Sequence, residues 1–238
     1  MFFPYFYYGT DSDGLYTLAM LLLVGALLIT VVAQIKVKSS FAKYSKMGCA
    51  LTGAAAAQKL LSSQGVFDVK IERVSGELTD HFDPRTNTIR LSDSVYDSAS
   101  VAAVGVACHE AGHALQYATQ YAPIKIRNKI IPVTNFGSRL AMPLVLLGLI
   151  LSFYPVAILG VAFFALSTLF QLITLPVELN ASRRAISIIR DYNILYDDSQ
   201  IKGAKSVLTA AALTYLGALL TSLAQLLRLL AIVGRRRR

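Results

Sequence analysis

Long runs of apolar residues along the chain predict a helical membrane protein. Residues 15–32 contain no charged residue and are long enough to cross the hydrocarbon core of a bilayer. Residues 140–153 and 156–175 also lack charges, and only Tyr154-Pro155 separates these two runs. Two apolar helices joined by so short a turn indicate a transmembrane hairpin that leaves the cytoplasm and returns to it.

A fourth apolar stretch, residues 207–233, leaves two interpretations open. It contains a single charge, Arg228, and can form one transmembrane helix. It can also form a cytoplasmic helix to about Gly217, packed on other helices through its small residues, followed by a membrane-associated segment. The four arginines at the C-terminus oppose a simple crossing, because they would then lie outside the cell.

Basic residues predict the orientation of these helices. Four lysines follow the first run, at positions 36, 38, 43 and 46, whereas residues 1–14 contain no Lys or Arg. The positive-inside rule therefore places the N-terminus outside and the chain after residue 35 in the cytoplasm. No positive n-region precedes the run, so we expect a retained helix and not a signal peptide. The aromatic residues within 2–8 fit an interfacial belt or a disordered tip equally well.

Composition agrees with a membrane location and requires no nucleic-acid partner. Apolar residues make up 55% of the chain, and the mean hydropathy is +0.53. Much of the net charge of +9 lies in the lysines after the first run and in the terminal arginines. Anionic lipid headgroups are a sufficient counter-charge there. The two cysteines, Cys49 and Cys108, suit a reduced compartment.

The segment between the first run and the hairpin predicts helices around a small sheet. Thr52 is the expected N-cap of a helix that ends at Ser63, and Ser98 that of a longer helix to about Tyr121. An antiparallel meander of three strands is expected between them. These strands are predicted at residues 66–74, 77–82 and 88–91. Its edge can receive an extended peptide, or the sheet can serve only to cover the helix.

The candidate chemistry lies on the longer helix, in the sequence His109-Glu110-Ala111-Gly112-His113. Histidines at i and i+4 share one face of a helix and can bind one ion. Glu110 is placed to act as a general base on metal-bound water. Zinc, one ion per chain, is the expected metal, since it lowers the pKa of bound water to about 7. Cys108 is expected to face away from the metal as a small buried side chain.

Glu178 is the expected third ligand. It is the first acidic residue after Glu110, and it follows the predicted hairpin as the chain re-enters the cytoplasm. Pro176 favours a helix start just before it. A glutamate on a second helix commonly completes such a zinc site, although a solvated helix cap is the ordinary alternative. His81, the remaining histidine, is the competing ligand.

Three polar residues are candidates for stabilising an oxyanion during peptide hydrolysis. The reaction needs a donor for this charge in addition to the metal. The candidates rest on polarity alone and are His81, Arg184 and Tyr192.

Together these motifs resemble the YugP-type family, neutral zinc metallopeptidases of bacterial membranes. The resemblance rests on residues 80–85, 90–92, 109–116 and 176–184. More distantly, the chain is similar to gluzincin membrane proteases of the HtpX and Ste24 type, which also place a membrane hairpin between HExxH and the glutamate ligand. The resemblance implies zinc bound by His109, His113 and Glu178, with Glu110 as general base. In the distant relatives an aspartate stands at the position of Ser182, and an acid is expected in closer relatives at Asn180.

The predicted fold is mainly α: a multi-pass helical membrane protein with a zincin-like cytoplasmic catalytic core and a small antiparallel β meander. The expected segments are an external tip (1–13), a transmembrane helix (14–35), a catalytic part with the meander and the HExxH helix (36–138), the transmembrane hairpin (139–175), a second catalytic part with the glutamate ligand (176–205), and an apolar helical segment with a basic tail (206–238).

The expected function is zinc-dependent cleavage of peptide or membrane-protein substrates at the cytoplasmic face of the cell membrane. The alternative is a metal-binding membrane scaffold or adaptor that cleaves nothing. Glu110 argues against the scaffold, because a purely structural ion needs ligands but no base.

Overall fold

The computed structural model describes the backbone of residues 5–235 and the side chains of residues 14–234. The described chain is mainly helical. Its helices are α1 (Tyr5–Tyr44), α2 (Gly53–Ser63), α3 (Asp93–Tyr96), α4 (Val101–Ala118), α5 (Ala122–Ile150), α6 (Tyr154–Asp191) and α7 (Asp198–Arg235). Its strands are β1 (Lys70–Val74), β2 (His81–Asp83) and β3 (Thr88–Ser92). The side chains of the expected aromatic tip and of the terminal arginines lie outside the described residues.

The chain divides into two compact units. The first contains the residues up to Val32, Ile126–Leu175 and the residues from Tyr215 onward. The second contains Ala33–Lys125 and Pro176–Thr214. Each of the four long helices, α1, α5, α6 and α7, therefore has one end in each unit.

The first unit is built from apolar helices that expose large hydrophobic side chains. Leu21 is 67% exposed, Val32 62% and Ile150 78%. Exposed apolar surface on this scale marks a membrane or a partner surface. Among the described residues, α1, α5, α6 and α7 are long and apolar enough to cross a bilayer.

The turn between α5 and α6 lies earlier than Tyr154-Pro155. Residues 151–153 form it, and Tyr154-Pro155 opens α6 instead. Proline suits the first turn of a helix, where its missing N–H would have no partner. The two helices approach closely at Gly148, where an added Cβ would clash with the backbone nitrogen of Ala157.

The C-terminal stretch forms one uninterrupted helix, α7, with no division at Gly217. Within the first unit Gly217 faces Thr30 of α1, since an added Cβ would lie 2.7 Å from the Thr30 hydroxyl oxygen. The Thr30 hydroxyl also lies 3.3 Å from that of Thr221. Thr168 of α6 and Ser222 of α7 are joined by a 2.7 Å hydrogen bond. Small residues and such hydrogen bonds are typical of helices packed against each other in membranes.

The sheet of the second unit is mixed, so the predicted antiparallel meander is wrong. Its order is β1-β3-β2, with β1 parallel and β2 antiparallel to β3. The chain therefore goes from the edge strand β1 to the opposite edge strand β2, and the hairpin that follows brings β3 back between them. The Asp80 carboxylate stabilises this crossing, because it accepts hydrogen bonds from the backbone N–H (2.8 Å) and hydroxyl of Ser92 at the end of β3. Arg90 donates to Asp83 (3.1 Å) and so connects β3 to β2.

The N-cap of α2 is confirmed, whereas the predicted N-cap of the longer helix is wrong. The Thr52 hydroxyl accepts from the first turn of α2. Helix α4 begins at Val101, and its N-cap is Ser100 instead of Ser98. The carbonyl of Ser98 accepts a hydrogen bond from the backbone N–H of Gly53. This contact keeps the segment before Ser100 extended.

Candidate active site

The HExxH sequence lies on α4, which is almost entirely buried in the second unit. Gly112 allows α6 to come close: a Cβ added there would lie 2.7 Å from the carbonyl oxygen of Ala181. Glu178 is about one turn before Ala181 on α6, and this approach places it beside His109 and His113. Because Pro176 lies inside α6, the predicted helix start before Glu178 is wrong.

Three side chains converge at this crossing. The Nε2 atoms of His109 and His113 lie 3.3 Å and 3.4 Å from Oε2 of Glu178. All three potential ligand atoms lie within 4.8 Å of one another. Ligands held about 2.0–2.1 Å from a tetrahedral zinc are separated by about 3.3–3.4 Å from each other. The donor set and the two separations from Glu178 therefore fit a zinc ion.

The site is shielded from solvent and favours positive charge. Glu178 is 2% exposed and His113 is 8% exposed. Burial by itself lowers the pKa of His113. The hydrogen bond to Glu178 and the negative charges of Glu110 and Glu178 outweigh it, so the pKa of His113 is raised. A cation at this position relieves the same concentration of negative charge.

Gln116 fixes the orientation of the His113 ring. Its Oε1 lies 3.0 Å from Nδ1 of His113. Its amide nitrogen donates to the Val177 carbonyl (2.8 Å) and to Oδ1 of Asn180 (2.9 Å), so Oε1 must face the histidine. Nδ1 of His113 therefore carries a proton, and Nε2, which faces Glu178, is the nitrogen that the neutral ring would offer to a metal.

Ser182 gives His109 the corresponding support. Its hydroxyl oxygen lies 3.1 Å from Nδ1 of His109. With Nε2 turned toward Glu178, Nδ1 donates to this hydroxyl. A neutral serine thus stands at the position where the distant resemblance implied an aspartate. A carboxylate makes the imidazole a stronger base than a hydroxyl does.

A chain of polar side chains continues from Gln116 along α6. Oδ1 of Asn180 accepts from Gln116 and also from Nε of Arg184 (3.0 Å). Arg184 donates in turn to the Thr119 hydroxyl (3.0 Å). Its guanidinium also lies over the ring of Tyr121, 5.7 Å from the centroid. Arg184 is thus bonded to the network behind His113.

The remaining predicted residues occupy different positions. Glu110 is buried but does not belong to the ligand cluster. His81 is exposed on β2, with Nδ1 2.8 Å from the Thr79 carbonyl, and is likewise outside the cluster. Tyr192 is 44% exposed near the end of α6. Cys108 is fully buried in the core, as predicted, and burial raises the pKa of its thiol.

Comparison with known proteins agrees with this geometry. The family model "Putative neutral zinc metallopeptidase" matches residues 19–234. The chain belongs to this family. The "Putative membrane protease YugP" of Bacillus subtilis (strain 168) is 45% identical over 217 residues, which cover 90% of this chain and 96% of that protein. No solved structure matches the chain. The family resemblance inferred from the motifs is confirmed.

Gln116 and Asn180 are the site residues whose roles sequence reasoning missed. Gln116 lies three residues after His113, on the same side of α4, and this spacing was the available signal. Asn180 was noted only for standing where an acid was expected.

Proposed function

We propose that this chain is an integral-membrane zinc metalloendopeptidase of the gluzincin type. One Zn²⁺ is held by His109, His113 and Glu178. The proposal rests on the 3.3 Å and 3.4 Å separations between the two Nε2 atoms and Oε2 of Glu178, which match neighbouring ligands of tetrahedral zinc.

The chemistry divides between the metal and Glu110. Zinc, when bound, supplies a Lewis acid that polarises the scissile carbonyl and acidifies water. Glu110 takes the proton of the attacking water and delivers it to the leaving amine. In the described part of the chain, its carboxylate forms no hydrogen bond or ion pair, so it is available as a base. Its negative charge contributes to the raised pKa of His113.

The edge of β2 is the proposed binding surface for an extended peptide. Among the described strands, β2 pairs on one side only, with β3. Phe82 packs on Tyr117 of α4, with ring centroids 5.4 Å apart, so this edge runs beside the HExxH helix. Strand addition at such an edge holds a peptide through its backbone. This arrangement is the zincin-like element of the proposed core.

His81 and Arg184 differ in what they can offer an oxyanion. The neutral His81 ring donates from Nδ1 to the Thr79 carbonyl, so Nε2 can donate only if the ring is protonated. Arg184 uses Nε and Nη1 within the network behind His113. We therefore assign Arg184 to positioning and retain His81 as the candidate that contacts substrate.

The cytoplasmic face is the proposed location of the site. The second unit consists of two chain segments, and both ends of each segment connect to the first unit. The lysines at positions 36, 38, 43 and 46 open the first of these segments. The positive-inside rule favours the cytoplasm for this region, next to anionic headgroups.

A peptidase assay tests the proposal. We expect the purified full-length chain in detergent micelles to cleave an unstructured fluorescent polypeptide. A chelator should abolish cleavage, and added zinc should restore it. Glu110→Gln should retain zinc and lose about 10²-fold or more in turnover. The exposed Glu77→Gln is the matched control. Stoichiometric zinc without cleavage of any substrate would favour the scaffold.

A further inference from the structure

A cationic pocket lies in the second unit beside the proposed zinc site, and Ser182 is the residue that contacts both. It is a cavity of about 380 Å³ bordered by parts of α6 and α7. Its principal lining residues are Arg183, Ile186 and Arg190 of α6 and Lys205, Leu208 and Thr209 of α7.

The spacing of the lining residues shows that each helix turns one face to the pocket. Arg183, Ile186 and Arg190 are at i, i+3 and i+7, and Lys205 and Leu208 are at i and i+3. Residues at these spacings share a helix face. Each wall therefore carries cationic and apolar side chains, with two of the three cations on α6 and one on α7.

In the part of the chain that the structure describes, the three cations of the pocket form no ion pair. No acidic residue lines the cavity. The side chains of Arg183, Arg190 and Lys205 are exposed, and across the described residues they form no hydrogen bond. By contrast, Arg90 pairs with Asp83 and Glu72. The nearby Asp191 carboxylate accepts a hydrogen bond from the Ser187 hydroxyl at 3.0 Å.

We propose that this pocket binds a phosphate group, carried either by an anionic lipid or by free phosphate. Two guanidinium groups can bind phosphate oxygens in a bidentate manner, and Lys205 adds a compact charge. The Thr209 hydroxyl provides a further donor. Ile186 and Leu208 give the cavity apolar walls. The glycerol and acyl chain of a lipid can cover these walls, whereas free phosphate leaves them exposed.

The position of the pocket along the chain fits a lipid source. Arg183 lies eight residues, or about 12 Å of helix, beyond Leu175 at the end of the apolar run in α6. Lys205 lies ten residues, or about 15 Å, before Tyr215, where α7 enters the first unit. The pocket also borders the proposed zinc site, because Ser182 lines it. Phosphate binding itself does not depend on zinc.

Binding measurements on the full-length chain in neutral detergent test this proposal. Short-chain phosphatidylglycerol, short-chain phosphatidylcholine and inorganic phosphate are titrated separately, with bound ligand detected by native mass spectrometry. The R183Q/R190Q/K205Q variant removes the three cations. The K70Q/R85Q/K125Q variant removes the same charge from exposed cations elsewhere in the second unit and is the control. Circular dichroism and gel filtration establish that both variants are folded.

We expect phosphatidylglycerol to bind and phosphatidylcholine to bind more weakly. The Kd for phosphatidylglycerol should rise about tenfold or more in the pocket variant, and less than about twofold in the control. If free phosphate is the source, inorganic phosphate binds with the same dependence on the three cations and displaces the lipid. Equal Kd values for both probes in the pocket variant and the wild type would overturn the proposal. Tighter binding of an oligoglutamate peptide, which neither phosphatidylglycerol nor inorganic phosphate displaces, would also overturn the proposal.

Discussion

Oε1 of Gln116 lies 3.0 Å from Nδ1 of His113, while the amide nitrogen of the same glutamine donates to two acceptors on α6. One buried amide therefore links a proposed ligand on α4 to the helix that carries Glu178. The two helices hold the proposed ligand set in position before any metal binds. Such organisation increases affinity because fewer groups must be ordered on binding.

Replacement of Gln116 tests this link. Gln116→Met keeps the volume of the side chain and removes the contact to Nδ1 of His113. We expect zinc affinity to fall by about 10- to 100-fold, the usual effect of losing such a partner. Competition with a chelator of known affinity measures the change. The exposed Gln64→Met is the control, and equal affinities in the two variants would show that Gln116 does not support the site.

Ser182 offers a test in the opposite direction. Ser182→Asp places a carboxylate next to Nδ1 of His109 and makes this imidazole a stronger ligand. We expect tighter zinc binding than in the wild type, whereas Ser182→Ala should bind zinc more weakly. The same chelator competition ranks the three proteins. A ranking in which the alanine variant binds most tightly would contradict the assigned contact.

The sequence was sufficient to predict three of the four long apolar helices and the HExxH helix, because each depends on local periodicity or on a known spacing. It left the fourth apolar stretch, residues 207–233, open between two interpretations, and Glu178 became a candidate ligand through its place in the chain and the family resemblance. The sequence did not predict the parallel pairing of β1 with β3, which depends on contacts between distant residues such as Asp80 and Ser92. The start of α4 was missed for a similar reason, since the carbonyl of Ser98 bonds to Gly53.

The hydrogen-bond network next to His113 could not be predicted from the sequence either. Gln116, Asn180 and Arg184 come from two helices separated by the hairpin, and their contacts exist only because α4 and α6 cross at Gly112. Proline at position 176 was misleading, because the helix continues through it. A proline near a hydrophobic run ordinarily suggests a helix boundary.

Alanine substitutions at two glycines of α4 distinguish the effect of close helix packing from that of helix propensity. An added Cβ at Gly112 would lie 2.7 Å from the Ala181 carbonyl oxygen, but one at Gly105 would have its nearest neighbour at 3.5 Å. We expect Gly112→Ala to destabilise the second unit by about 1–3 kcal/mol and to lower its zinc content. Gly105→Ala should be neutral or slightly stabilising. Thermal unfolding and metal analysis of both variants provide the comparison. A Gly112→Ala variant with unchanged stability and zinc content would contradict the observed approach of α6.

Reporter fusions test the proposed orientation. A reporter near residue 60 should be cytoplasmic, and one at Gly9 should be external, because the four lysines lie after the first apolar run. Paired reporters that are active on only one side of the membrane measure this. An external reporter at residue 60 would reverse the orientation and place the zinc site outside the cell.

The zinc content of two purified variants tests the central claim most directly. Glu178→Gln preserves the shape of the buried side chain and removes its charge, while His81→Ala removes the only histidine outside the ligand cluster. Both variants are checked for folding by circular dichroism and analysed by inductively coupled plasma mass spectrometry. We predict about one zinc per chain in the wild type and in His81→Ala, and less than about a tenth of that in Glu178→Gln. Loss of zinc from His81→Ala, with retention in Glu178→Gln, would contradict the assignment of Glu178 as the third ligand.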